Sequence, residues 1–405
     1  MAFSVKGLEP FQSREYSCFF FSRFFAGLAI SMVDVAVGWM VYEMTGSAVA
    51  LGLIGLAAFA PSILFLLIAG HVADRYDRRQ VLMVCYSISA VASFGLYLSA
   101  VLQIERLPLI YALVFLAGAA RAFFSPASSA LLPNLVSKEQ LANAVALGST
   151  ATKTASIIGP AVGGFAYLFG APFVFFCTTF LSATCVVLLY MLKRRPPADN
   201  TSQLSWEYMT AGLKSIWSNS TLLGLISLDL FAVLLGGATA LLPMFAKDIF
   251  DAGPVGLGLL RSAPSVGAIG TAVVLARFPL NSRVGLRMFQ AVGLFGLATI
   301  GFGLSSHIGV ALVCLIILGA ADMVSVYVRT TLVQLETPDE MRGRVSAVNS
   351  LFIGASNELG QFYSGIVASL TGPVLAVIIG GGGAVAVTLA WMRLFPGLKE
   401  RDKLV

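Results

Sequence analysis

Nine ionisable residues stand inside stretches that are otherwise apolar: Arg23, Asp34, Arg121, Lys153, Asp229, Arg261, Asp322, Arg329 and Glu358. A charge at the middle of a hydrocarbon layer costs about 2.5–3.5 kcal/mol even on insertion-based scales, so each needs a partner or a watery cavity. The chemistry open to such a set is reversible protonation and ion pairing. Desolvation drives a carboxylate there towards its neutral form, and a neighbouring guanidinium drives it towards the ionised form. A proton and a charged ligand can then compete for one site. Structural ion pairing between helices is the competing use of the same residues.

Spacing sorts the set. Arg23 and Asp34 are eleven residues apart with Gly27 between them, about three helical turns, so they share a face. Asp322 and Arg329, seven apart, also share one. Arg121 lies about twelve residues from the end of its apolar run, or roughly 18 Å at 1.5 Å per residue, which is near mid-depth. Asp34 is the first choice for a protonatable acid, with Glu358 and Asp322 next. Asp229 and Arg261 read as structural.

Other chemistry is thin. Cys18, Cys85, Cys177, Cys185 and Cys314 have no metal-ligand spacing and read as small buried hydrophobes, and His71 and His307 are isolated, so no metal site is expected. GPAVGG (159–164) has no Gly-Lys-Ser/Thr following it, which argues against an ATP-driven pump. Nothing resembles an enzyme's nucleophile and base, so the chain does not read as an enzyme. Its aromatic side chains, Phe19–Phe21 and Trp39 among them, could line a cavity for a bulky ligand, but membrane helices carry such residues in any case.

The elements that must position these charges are membrane spans. Of 405 residues 58% are hydrophobic and 11% charged, against about 25% charged in an ordinary soluble domain. Runs of about 20 apolar residues cross a hydrocarbon core. Broken at charge clusters and Pro/Gly turns, the chain gives spans at 16–44, 48–73, 80–102, 108–132, 142–169 and 171–192, then 221–250, 254–278, 286–305, 308–334, 343–370 and 372–395. The expectation is an all-α membrane protein of about twelve transmembrane helices in two pseudo-symmetric six-helix bundles. The bundles are 1–192 and 221–405, joined by a cytoplasmic linker, 193–220, in which Trp206–Trp217 makes a short amphipathic surface helix. The segment Met1–Ser17 does not read as a cleavable signal.

Placing both ends inside puts nearly all Lys and Arg of the connecting segments on the cytoplasmic side, from Arg75, Arg78 and Arg79 to Arg342 and Arg344, and leaves Arg106 and Lys247 opposite. The net charge of +6 is thereby explained without nucleic acid. A shift of about 201 residues lays LAGAAR (116–121) on ILGAAD (317–322), and Glu139 on Glu340. Repeats of this kind build secondary transporters with a midplane site. On this register Arg121 and Asp322 are facing elements of a central cavity, and Asp229 is a partner for Arg23 across the halves.

At GHVADRYDRRQ (70–80) the chain resembles the major facilitator superfamily, whose loop signature is roughly G-x-x-x-D-R-x-x-R-[RK]; Gly70, Asp74, Arg75, Arg78 and Arg79 stand at its positions and Asp77 where Gly is common. TGSAVALGLIGLAAFAPSILFLLIAG (45–70), LANAVALGSTATKTASIIGPAVGG (141–164) and TPDEMRGRVSAVNS (337–350) are similar to the drug:H⁺ antiporter branch that includes enterobactin and macrolide exporters. The resemblance implies a conformational latch at Gly70–Arg79, with Asp74 facing a helix N-terminus. It also implies a pivot at Gly159, Pro160, Gly163 and Gly164.

The function it implies is export of an amphiphilic small molecule, a siderophore or a drug, by proton antiport and alternating access, in a bacterial cytoplasmic membrane with both termini inside. Arg23, Asp34, Arg121, Lys153, Asp322, Arg329 and Glu358 would serve substrate and proton. The expected partners are the substrate, protons and membrane lipids, with no nucleic acid and a monomeric state. The proton gradient supplies energy in place of a cofactor. A siderophore importer or a lipid or solute facilitator is the alternative on the same fold, and a non-transporting receptor or scaffold the alternative of another class.

Overall fold

In a hydrocarbon layer every backbone N–H and C=O must be satisfied within the segment, which leaves helices as the natural state of these apolar runs. The computed structural model describes residues 9–104, 106–193, 206–280 and 282–403, and every regular element among them is helical. The side chain of Asp74, Lys6 and its neighbours in the amino-terminal segment, and residues 194–205 of the linker lie outside the described residues. By compactness the chain divides into one unit of Met1–Met40 and Ala57–Leu204 and a second of Val41–Leu56 and Ser205–Val405.

The first unit contains most of α1 (Arg14–Thr45), the later part of α2 (Ala48–Leu64), α3 (Leu66–Arg75), α4 (Arg78–Val101), α5 (Leu107–Leu131), α6 (Leu141–Ala166) and α7 (Ala171–Tyr190). Span 48–73 is therefore two helices rather than one. They meet at Phe65, whose φ of −102° and ψ of 7° leave the helical well, one turn beyond Pro61. Helix α4 packs on α5 and α7, and Tyr16, Phe19, Leu82, Tyr86 and Leu189 form part of one buried cluster.

The second unit holds α8 (Trp206–Ser218), α9 (Ser220–Gly236), α10 (Leu242–Met244), α11 (Gly253–Arg277), α12 (Val284–Leu304), α13 (Ile308–Glu336), α14 (Arg342–Thr371), α15 (Pro373–Leu394) and the short α16 (Pro396–Lys399). Span 221–250 is interrupted at Gly237, beyond which it continues through 3₁₀, α and π turns to Ile249. The pair Gly236–Gly237 is a weak point, because glycine in a helix interior costs about 0.5–1 kcal/mol relative to alanine. The linker helix α8 forms as expected, but its buried side, including Ile216, lies on α14 and α9 rather than on lipid.

Among the described residues nine helices are long and apolar enough to cross a membrane. The other three expected spans fall short for different reasons. Helix α2 has 17 residues, while α6 and α14 have full length but carry many polar side chains. The connections after these two helices are alike: α6 reaches α7 through Gly170 at φ 93°, ψ 160°, and α14 reaches α15 through Gly372 at φ 85°, ψ 163°. A φ of that sign is open to glycine and strained for other residues. The internal repeat thus extends to backbone conformation.

Candidate functional site

In the first unit α1 presents Asp34 and α5 presents Arg121, and Arg121 Nη2 donates to Asp34 Oδ1 at 2.9 Å. Both side chains remain partly open, 42% exposed for Asp34 and 34% for Arg121. A pair that open to solvent contributes at most about 1 kcal/mol to stability. Its charges stay accessible to a proton or a ligand.

About three turns before Asp34, α1 carries a second cation, Arg23. Arg23 Nη2 donates to Thr152 Oγ1 on α6 at 3.4 Å, and the guanidinium sits 5.8 Å from the centre of the Phe19 ring. A Cβ at Gly148 would lie 3.0 Å from Arg23 Nη1, so the absent side chain there makes the niche. Lys153, next to Thr152, is exposed. The partner expected for Arg23 from the repeat, Asp229, is bonded elsewhere, as described below.

The small-residue stripe of α6 has two parts. Thr152 is exposed and Ser156 half-buried, with the buried Gly148 against Arg23, whereas Gly159, Pro160, Gly163 and Gly164 are all buried. A Cβ at Gly159 would come within 2.5 Å of Ser31 Cβ, and one at Gly163 within 2.9 Å of Met32 Cα. Here the α1 and α6 backbones approach as closely as small residues allow.

In the second unit Asp229 of α9 bonds Arg329 of α13, and both are almost fully buried, 7% and 4% exposed. This corrects the expected Asp229–Arg23 pairing. The physical reason is that a buried carboxylate needs a neutralising donor within its own packed surroundings, and Arg329 supplies it one helix away. Asp322, on one face with Arg329, joins Asp229 in lining a small pocket with Val292, Phe295 and Ser325. Glu358 of α14 accepts from Gln361 Nε2 at 2.9 Å. Glu358 Oε2 would lie 2.9 Å from a Cβ at Gly55. Arg261 is carried by α11.

The loop between α3 and α4 is ordered by its own side chains. Asp77 caps α4, accepting from the Arg79 amide at 3.0 Å. Arg79 is buried and donates from Nε to Leu189 O at 2.8 Å and from Nη2 to Tyr190 O at 2.7 Å, with its guanidinium 5.5 Å from the Tyr190 ring centre. It therefore neutralises the carbonyl end of α7. Arg75 is exposed, Arg78 half-buried and Gly70 buried. On the following loop, Glu139 is held below the usual carboxylate range by the Ser137 hydroxyl and its own amide.

Sequence reasoning missed one cluster. Tyr42 Oη donates to Asp248, and Lys247 Nζ stands 5.7 Å from the Tyr42 ring centre, within the second unit. Asp248 and Lys247 sit on the π turn Phe245–Ile249. The available signal was an acid beside a base at a span end, which reads as an ordinary solvated terminus.

The chain is 25% identical over 397 residues to the enterobactin exporter EntS of Citrobacter koseri, covering 94% of this chain and 92% of that one. It is 25% identical over 377 residues to enterobactin exporter EntS of Shigella boydii, covering 91% and 88%. Among solved structures it resembles the nucleoside transporter NupG, with a TM-score of 0.70, 15% identity and coverage of 94% and 99%. A POT family transporter in complex with 5-aminolevulinic acid gives 0.74 at 13% identity, with coverage of 95% and 97%. These likenesses establish the fold, and the expected major facilitator architecture of membrane helices is borne out. Residues 5–403 match the family described as transmembrane secretion effector, so the chain belongs to that family of major facilitator transporters and is not an enzyme.

Proposed function

We propose that the protein is a proton-coupled exporter of an amphiphilic small molecule, and that Asp34 and Arg121 are its coupling pair. The observation that carries this reading is the half-open Asp34–Arg121 contact, the one intramembrane acid of the first unit held by a guanidinium that a proton or a substrate charge can displace. Protonation of Asp34 would release Arg121, and rebinding of Arg121 would expel the proton. Glu358 and Asp322 are the reserve acids. Gly159–Gly164, with Pro160 in the packed stripe, would act as the pivot and Gly70–Arg79 as the latch, Asp74 included.

Similarity to enterobactin exporters supports outward transport, and a siderophore or drug is the substrate to try first. It also supports a bacterial cytoplasmic membrane, to which the loop charges add both termini on the inner side; the working unit of this proposal is a monomer among lipids. The test is flux into proteoliposomes under an imposed pH gradient. The parent protein should move substrate only with the gradient, and Asp34→Asn should abolish gradient-driven flux while leaving counterflow. Gradient-independent equilibration by the parent would favour a facilitator or an importer. Absence of any flux would favour a receptor or scaffold.

A further inference from the structure

The intramembrane charges do not cancel unit by unit. Arg23, Arg121 and Lys153 in the first unit face one acid, Asp34, whereas the second sets Asp229, Asp322 and Glu358 against Arg261 and Arg329. Because Arg121 is committed to Asp34, two cations remain. Among the described residues neither Arg23 nor Lys153 has a carboxylate partner; Arg23 has only a 3.4 Å hydroxyl contact and an aromatic ring, and its Nε is buried without a hydrogen-bond partner. Two uncompensated cations at membrane depth are costly unless water or a counter-ion meets them.

The surface beside them is built to be wet. Along α6, Ala142, Val145, Ala146, Ser149, Thr152 and Lys153 are exposed, and their spacing of three and four sets them on one side of the helix. Lipid would not favour Ser149, Thr152 and Lys153 there; the Thr152 hydroxyl donates to Gly148 O at 3.0 Å and accepts from Arg23, and the Lys153 ammonium is an exposed donor. Gly148 keeps the Arg23 guanidinium reachable from this stripe.

We infer that Arg23 and Lys153, with Thr152 between them, bind the oxyanion of the transported molecule, so that the substrate carries a carboxylate, phosphate or comparable anionic group. This rests on the proposed transport function only in taking the α6 stripe as part of the substrate path. A guanidinium presents a fork of donors suited to a planar or tetrahedral oxyanion, and an ammonium adds a point charge. A lipid headgroup phosphate offers the same chemistry, and the experiment must separate the two sources.

The measurement is thermal unfolding of the full chain in phosphatidylcholine nanodiscs with matched probes: benzoate, phenylphosphonate, benzylammonium and benzyl alcohol. Benzoate and phenylphosphonate should stabilise the parent and the other two should not, with apparent affinity falling at least tenfold in Arg23→Gln and Lys153→Gln. Lys153 is exposed, and among the described residues its side chain makes no hydrogen bond or ion pair, so that variant reports binding even if Arg23→Gln folds poorly, and Arg23→Lys should restore part of the effect. Equal stabilisation by benzylammonium, anion stabilisation unchanged in both variants, or none in the parent would overturn the inference. So would loss of anion binding on adding phosphatidylglycerol to the parent alone, since the site would then hold lipid. Because binding is read without a gradient, failure of proton coupling leaves this result intact.

Discussion

Each unit ties its first long helix to its fourth with an aspartate and an arginine, Asp34 to Arg121 in one and Asp229 to Arg329 in the other. The two ties are not at equivalent positions. Under the 201-residue shift Asp34 corresponds to Leu235 and Arg121 to Asp322. Asp229 stands six residues before the first of these and Arg329 seven after the second. Because successive spans alternate in direction, the first and fourth run oppositely, and both displacements move the second pair the same way, by roughly 9–10.5 Å at 1.5 Å per residue. The displaced pair is buried and the other is half open. Burial decides use: a closed pair holds helices together, and an open one can exchange its partner.

The largest expected effect follows from breaking the closed pair. Asp229→Ala leaves Arg329 charged and buried, and should cost about 3–5 kcal/mol of stability, seen as a large fall in the midpoint of thermal unfolding in detergent. Replacing both members with Leu and Met should recover nearly all of it; a double variant as unstable as the single one would show that the pair does more than neutralise itself.

Arg79→Ala comes next. It removes two charge-assisted bonds from the end of α7 and should cost about 2–3 kcal/mol, with amide exchange rising first around Leu189 and Tyr190. Asp34→Ala should lower stability by less than about 1 kcal/mol, since the pair is screened by solvent, yet stop gradient-driven flux. A loss of stability as large as that of Asp229→Ala would erase the distinction drawn between the two pairs. Smallest of all, exchanging the charges in Asp34→Arg with Arg121→Asp should leave the unfolding midpoint within about 0.5 kcal/mol of the parent, while altering the pH dependence of transport.

The apolar runs made the fold easy to read, because a hydrocarbon layer enforces helix on any run of sufficient length. The breaks at Phe65 and Gly237 were harder, since hydropathy continues unbroken across both. At the site, face-sharing was legible and partner choice was not. Asp322 and Arg329 do share surroundings, both next to Asp229, as their spacing of seven implies. The Asp34–Arg121 contact requires knowing how α1 turns about its own axis relative to α5, and no spacing along one helix contains that. The partners of Arg79 were hidden for a related cause: nothing in the signature loop shows that the end of α7 lies beside it.

The single-glycine joints after α6 and α14 bear on how the protein is made. A segment with the polar side chains of α6 partitions poorly into a bilayer alone, whereas α7 is among the most hydrophobic stretches. Joined by Gly170 and a brief 3₁₀ turn, the two should leave the translocon as one folded-back unit, with α7 carrying its reluctant neighbour, and α15 doing the same for α14 through Gly372. In a glycosylation-mapping assay, α6 expressed without α7 should fail to insert, and restoring α7 should rescue it.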